Sequence, residues 1–282
     1  MQRAVYGHRG SGLLNEAVNL LATMGKLTNT GSMLLRLGFF LLLAAPLAAQ
    51  TQREAGLELV LLADASGSID AEELAFQRQG YAQALTDDAV LSAILNSIYG
   101  NVAITYVEWA SITAVVVPWT IVDSEATARA FADALADPPR QAYGGNAIGG
   151  ALLDAKRLIE ENDIFSPRAV IDFSGDSIGN SFGPSIEEAR AQVLAAGITI
   201  NALPILRPED GRRAGLNLEE EYATRIIGGP GSFMVTAEGR DTFAEAVRRK
   251  LVLEISGLTP QTQVASAHPR LEQHDDEQDR TR

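Results

Sequence analysis

An α/β fold with a doubly wound, mostly parallel sheet, one antiparallel edge strand and helices on both faces is predicted for residues 57–256. Three observations carry this expectation. Short, nearly continuous apolar runs alternate with segments of helical period, the pattern of strands covered on both sides by helices. Two β-rich runs, 102–108 and 112–119, are separated only by a short polar turn and read as a hairpin, which supplies the antiparallel strand. Loops rich in glycine and side-chain oxygens follow the apolar runs, where the carboxyl ends of parallel strands gather their loops.

The elements follow in order. Residues 57–63 (LELVLLA) are the first strand. Over 70–85 a helical spacing brings Leu74, Tyr81 and Leu85 roughly to one side. Asp70 is its expected N-cap, with Glu73 three residues on completing a capping-box pattern. After the hairpin, residues 124–135 are helical, and Pro138-Pro139 ends that helix. Residues 147–160 form a helix with Ile148, Leu152 and Ile159 inward. A strand at 169–173, a helix at 186–196, a strand at 198–205 and a helix at 218–227 continue the alternation. A short strand at 233–236 and a helix at 242–255 complete it. No internal repeat and no second patterned domain are present.

The flanks read differently. Residues 33–50 (MLLRLGFFLLLAAPLAAQ) have the layout of a secretory signal: Arg36 as a short basic region, 37–45 as an apolar core and 46–49 as a small-residue end. Cleavage is expected at Ala49-Gln50, making 33–49 the signal peptide. The apolar run is short for a membrane span of about 20 residues, so no stable span is expected after cleavage. Residues 1–32 lack sustained periodicity and read as an upstream extension, with Met33 the expected start. Residues 257–282 turn polar and charged and are expected to be a disordered tail.

Composition removes whole classes of function. A formal charge of −13 repels nucleic acid and anionic membrane. With no cysteine there is no disulfide, thiolate metal site or cysteine nucleophile. The only histidines, His8, His268 and His274, lie outside the patterned region, which argues against histidine catalysis or zinc binding in the core. The expected setting is periplasmic or secreted.

Three loops remain that carry chemistry. Asp64-Ala65-Ser66-Gly67-Ser68 follows the first strand, Gly144-Gly145-Asn146-Ala147-Ile148-Gly149 opens a helix, and Ser174-Gly175-Asp176 follows a later strand. Hard divalent cations take oxygen ligands, and Mg²⁺ takes about six. Alternate residues of a tight loop point the same way, so Asp64, Ser66 and Ser68 can converge. A second carboxylate, Asp176, balances the ion's charge, while hydroxyls add donors without repulsion. Taken singly, each loop is better explained as a helix cap or a turn. The three together point to one oxygen-only cation site.

An apolar strand, then DASGS, then a glycine-flanked helix start, then a strand ending in Asp resembles the von Willebrand factor A-type (vWA) domain over residues 57–256. DASGSID with GGNAIG and IDFSGD also resembles a secreted bacterial branch designated domain of unknown function 1194. The resemblance implies a Rossmann-like fold and a metal-ion-dependent adhesion site. There the two serines ligate the metal directly, and an acidic group of the partner completes the shell. It assigns the matching roles to Asp64, Ser66, Ser68 and Asp176, with one Mg²⁺, or Ca²⁺ or Mn²⁺, as cofactor. The implied partner is a protein presenting a carboxylate. Asn146 stands where the family usually has Thr. An amide oxygen reaches farther than a hydroxyl, so the departure weakens binding, shifts the preference towards Ca²⁺, or abolishes the site.

Other readings fit less of the pattern. DASGS resembles the first motif of haloacid-dehalogenase-type phosphatases, but Ser66 replaces the second Asp. Gly175-Asp176-Ser177 resembles the nucleophile block of GDS-type esterases, but it lies late in the domain and His268 lacks the usual setting of a base. Gly228-Gly229-Pro230-Gly231 lacks the Lys and Ser/Thr of a phosphate loop and reads as a turn. Trp109 and Trp119 read as packing, and Asp87-Asp88 and Glu219-Glu220-Glu221 as solvated helix starts. The sequence thus predicts an exported, non-enzymatic binding module. A periplasmic hydrolase, metal-assisted or GDS-type, and a vWA scaffold without its metal are the alternatives.

Overall fold

The computed structural model describes residues 53–136, 138–207 and 217–260. The expectations for residues 1–32, for the signal peptide and for the tail beyond 260 lie outside the described residues.

Seven strands are present among the described residues. β1 (Arg53–Glu54) and β5 (Ile164–Phe165) pair in parallel as a small two-stranded sheet. The main sheet comprises β2 (Glu58–Asp64), β3 (Val102–Trp109), β4 (Thr113–Val122), β6 (Ala169–Gly175) and β7 (Thr199–Pro204), in the order β4-β3-β2-β6-β7. β3, β2, β6 and β7 run parallel, and β4 is antiparallel to β3 at the edge, as the hairpin predicts.

The alternation of side chains along β2 explains the layers. Leu59 and Leu61 enter one core with residues of α1 (Ala71–Leu85), α2 (Asp88–Leu95), α3 (Glu125–Ala136) and α7 (Arg240–Ser256). Val60 and Leu62 enter the other, with residues of α4 (Ile148–Glu160), α5 (Ile186–Ala195) and the α6 segment (Leu218–Glu221, continuing as a π-helical turn over Tyr222–Ile226). A strand buried on both faces must be apolar at nearly every position, which is what LELVLLA shows.

Two of the expected elements take a different form, and β1 and β5 lie outside the expectation. Residues 233–236 do not form a strand; this stretch meets the β7 side of the sheet through isolated bridges, Ala202 to Met234 and, just beyond, Ile205 to Ala237. The cause lies in a side chain: Asn201 Oδ1 accepts the Phe233 N–H at 3.0 Å, so a ladder position is taken by an amide. The 218–227 segment is helical, but half of it is the π turn. Asp87, read as a solvated helix start, caps α2 through an Ala89 N–H bond of 2.9 Å. Among the described residues no helix is long and apolar enough to cross a membrane.

Candidate metal centre

The carboxyl ends of β2, β3, β6 and β7 lie side by side, so the loops after them meet at one end of the sheet. Asp64 is the last residue of β2 and is fully buried, as are Ser66 and Asp176. The chain turns sharply after it. The Ser66 N–H donates to Asp64 Oδ1 at 2.8 Å, and the Ile69 N–H to the Ser66 carbonyl at 2.9 Å. That turn lays the Ser66 and Ser68 hydroxyls 3.1 Å apart, and the Ser68 hydroxyl donates to Asp176 Oδ1 at 3.2 Å. The Asp176 N–H closes the ring on Asp64 Oδ2 at 3.5 Å. Ser68 is exposed, so the cluster opens to solvent on its side.

The surroundings fix this geometry. Gly175 is required because a Cβ there would meet Asp64 Oδ2 at 2.9 Å and the Trp109 ring and Tyr222 hydroxyl at 3.0 Å. Gln77 donates to the Asp64 carbonyl at 3.3 Å. Beneath the site, the Trp109 indole N–H and the Tyr81 hydroxyl each donate to Ser174 at 3.1 Å, to its carbonyl and its Oγ respectively. Trp109 is fully buried and stacked on Phe173, a packing role as predicted. The second loop is tied in by the Gly67 N–H, which donates to the Gly144 carbonyl at 2.8 Å.

Contacts therefore join four of the five residues selected from sequence. The fifth, Asn146, is half-buried and turned towards the loop after β6, where its Nδ2 donates to Ser177 Oγ at 3.0 Å. It reaches the neighbour of Asp176 rather than the ring itself. Ser177 Oγ also accepts the Gly179 N–H at 3.1 Å. Among the described residues there is no histidine to act as its base.

Electrostatics mark the same place. Burial first, and then the Asp176 charge, push the Asp64 carboxyl up to about 7, against the hydrogen bonds it accepts from Ser66 and Asp176. Two carboxylates in one buried cluster favour a cation between them. The donor set is all oxygen, two carboxylates and two hydroxyls, which fits a hard divalent ion. Asp64, Ser66, Ser68 and Asp176 would hold it, with Asn146 beside them. Among the described residues no group of three or more His, Cys, Asp or Glu is placed to hold a metal, so any site here relies on hydroxyl donors.

One participant carries no sequence signal. Arg207, just past β7, pairs through Nε with Asp176 Oδ2 at 3.0 Å and through Nη2 with Glu73 Oε1 at 3.2 Å. Its Nη1 donates to the Ser68 carbonyl at 3.3 Å. A lone arginine after a strand belongs to no motif, and only the tertiary fold brings it here.

The fold is similar to that of proximal thread matrix protein 1 from the mussel byssus, in a structure described as having a zinc-occupied MIDAS motif: 16% identity, TM-score 0.51, covering 71% of this chain and 46% of that one. It is also similar to the pilus adhesin SpaC from Lactobacillus rhamnosus GG: 15% identity, TM-score 0.51, covering 72% and 31%. A von Willebrand factor type A structure from Catenulispora acidiphila matches at 16% identity and TM-score 0.49, covering 72% and 43%. The chain spans less than half the length of each of these proteins. For the mussel protein and the adhesin the likeness is one of fold. A search of curated proteins finds no match. The model of one family matches residues 54–259, nearly the whole of the described domain, and the chain belongs to that family, described as protein of unknown function (DUF1194).

Proposed function

We propose that the protein is an exported binding module that recognises an acidic group of a protein partner through one divalent cation held by Asp64, Ser66, Ser68 and Asp176. The observation that carries this reading is the closed ring of contacts among those four residues, with three of them fully buried and Ser68 open to solvent. A cation there would neutralise the two carboxylates and leave coordination free on the Ser68 side, where a partner carboxylate could complete the shell. Binding would then need the ion and fail in chelator. Asn146 would act from the next position, by way of Ser177. The zinc-occupied site of the mussel protein and the adhesin among the fold relatives lend support to a metal-dependent interaction. Export rests on the signal-like segment at 33–49, with a mature start at Gln50.

The test is thermal stabilisation by Mg²⁺, Ca²⁺ or Mn²⁺, paired with cation-dependent capture of envelope proteins. Wild type should melt higher with the ion and release its partner in chelator. Asp64→Ala should lose both responses. A wild-type melting point indifferent to every divalent ion would defeat the reading. Turnover of ester or phosphate substrates that disappears in Ser177→Ala or Asp64→Ala would replace it with a hydrolase.

A further inference from the structure

We infer that Arg207 is a built-in counter-cation of this centre: it neutralises the buried carboxylates when no metal is bound and competes with the metal for Asp176. The inference rests on the metal-site reading above and goes on to say how that site is regulated.

Asp64 and Asp176 are both fully buried and share one hydrogen-bonded cluster. Leaving such a pair without positive charge is costly in a folded interior. Arg207 supplies that charge from the end of β7, a strand that contributes none of the proposed ligands. Its guanidinium touches the cluster at two points, the Asp176 carboxylate at 3.0 Å and the Ser68 carbonyl at 3.3 Å, and so grips both the second carboxylate and the metal loop. A contact with Glu73 anchors it. Glu73 Oε1 receives Arg207 at 3.2 Å, while Glu73 Oε2 accepts the Asp70 N–H at 3.0 Å in the capping box of α1. A carboxylate already fixed by a helix start holds the planar fork in place, with little rotamer freedom left to lose.

A divalent cation at Asp176 would sit beside this positive charge and be repelled by it. The coupling is reciprocal, so the ion must weaken the hold of Arg207 to the same extent that Arg207 weakens the ion. The arginine thus keeps the empty site folded and sets a threshold concentration for filling it.

The experiment compares wild type, Arg207→Gln and Arg207→Lys as the full-length protein. Each is melted in chelator and titrated with Mg²⁺ by calorimetry. Arg207→Gln should melt lower than wild type in chelator, by on the order of 5 °C, yet bind Mg²⁺ about tenfold more tightly, having lost one charge–charge repulsion. Arg207→Lys keeps the charge and should stay close to wild type in both. Recovery of folded Arg207→Gln only in the presence of Mg²⁺ would support the inference by another route. An unchanged melting point in chelator, or weaker Mg²⁺ binding by Arg207→Gln, overturns it; the latter would make Arg207 a positioning residue of the loaded site. If Mg²⁺ binds Arg207→Gln but not wild type, the inference stands and the metal-bridged function falls. Uptake by neither protein overturns both.

Discussion

At residue 64 a fully buried carboxylate accepts the Ser66 and Asp176 N–H groups and has the Asp176 charge beside it. Burial and Asp176 raise its affinity for a proton to a value of about 7 in the folded protein, against an ordinary value of 3.8. The folded state therefore binds this proton more tightly than the unfolded state does. The resulting stabilisation is complete below about pH 4 and is lost as pH rises through about 7, at roughly 1.4 kcal/mol per unit within that window. Asp64→Asn is neutral throughout and can still accept the Ser66 N–H. In chelator, the stability of wild type relative to Asp64→Asn should fall steadily between those limits in urea titrations; a difference that stays level with pH would refute the assignment. Asp64, Ser66, Ser68 and Asp176 were legible in the sequence because each lies at the end of an apolar run, where parallel strands deliver their loops. Arg207 was not, because its meaning comes from Asp176 and Glu73, distant in sequence. Asn146 was legible as a departure, but its contact with Ser177 depends on how the two loops fold together.

Helix starts around the site impose the next level of order, and two adjacent glycines of α4 separate packing from propensity. A Cβ on Gly149 would lie 2.2 Å from the Pro184 carbonyl oxygen and 2.8 Å from that of Ser185, both backbone atoms that cannot step aside. Gly150 has nothing closer than Ala147 Cβ at 3.8 Å. Gly149→Ala should therefore destabilise by about 2–4 kcal/mol through overpacking between α4 and the loop before α5. Gly150→Ala should be neutral or stabilise by up to about 1 kcal/mol through helix propensity. Equal effects in chemical denaturation would mean that this contact does not set the position of α4. Long elements with clear period were read correctly from the sequence, and so was the capping box of α1, whose Asp70 and Glu73 make both reciprocal bonds. Short pieces were not. β1 and β5 are two residues each and owe their existence to one another. The 233–236 run has the composition of a strand, but a side chain of β7 takes the hydrogen bond that a ladder would need.

At the scale of the whole domain, β6 carries Asp172 and Ser174 at alternate positions on the face that meets α1 and α7, and Asp176 follows just past the end of the strand, all three buried. Asp176 serves the candidate metal centre, and Ser174 takes the Tyr81 hydroxyl. Asp172 meets a fully buried Lys250 at 2.7 Å, and Lys250 also bonds Glu254 one turn along α7. Glu254 in turn accepts Asn201 Nδ2 at 2.9 Å, so three charged groups and one amide tie α7 to β6 and β7. Burial and Asp172 push Glu254 up to about 7, with Lys250 opposing them. Lys250 is the cation that touches both carboxylates, and removing it alone should be the most damaging simplification of the cluster. Lys250→Met should cost about 3–5 kcal/mol, because two carboxyls are left without their counter-charge. The triple replacement Asp172→Leu, Lys250→Met, Glu254→Leu fills the same space without charge and should recover most of that loss. Urea denaturation of the three proteins at neutral pH decides the matter. A Lys250→Met midpoint equal to wild type would show that water or protonation already supplies what Lys250 is assigned here. A triple variant no more stable than Lys250→Met would show instead that Asn201, left with its amide unpaired, contributes as much as the charges do.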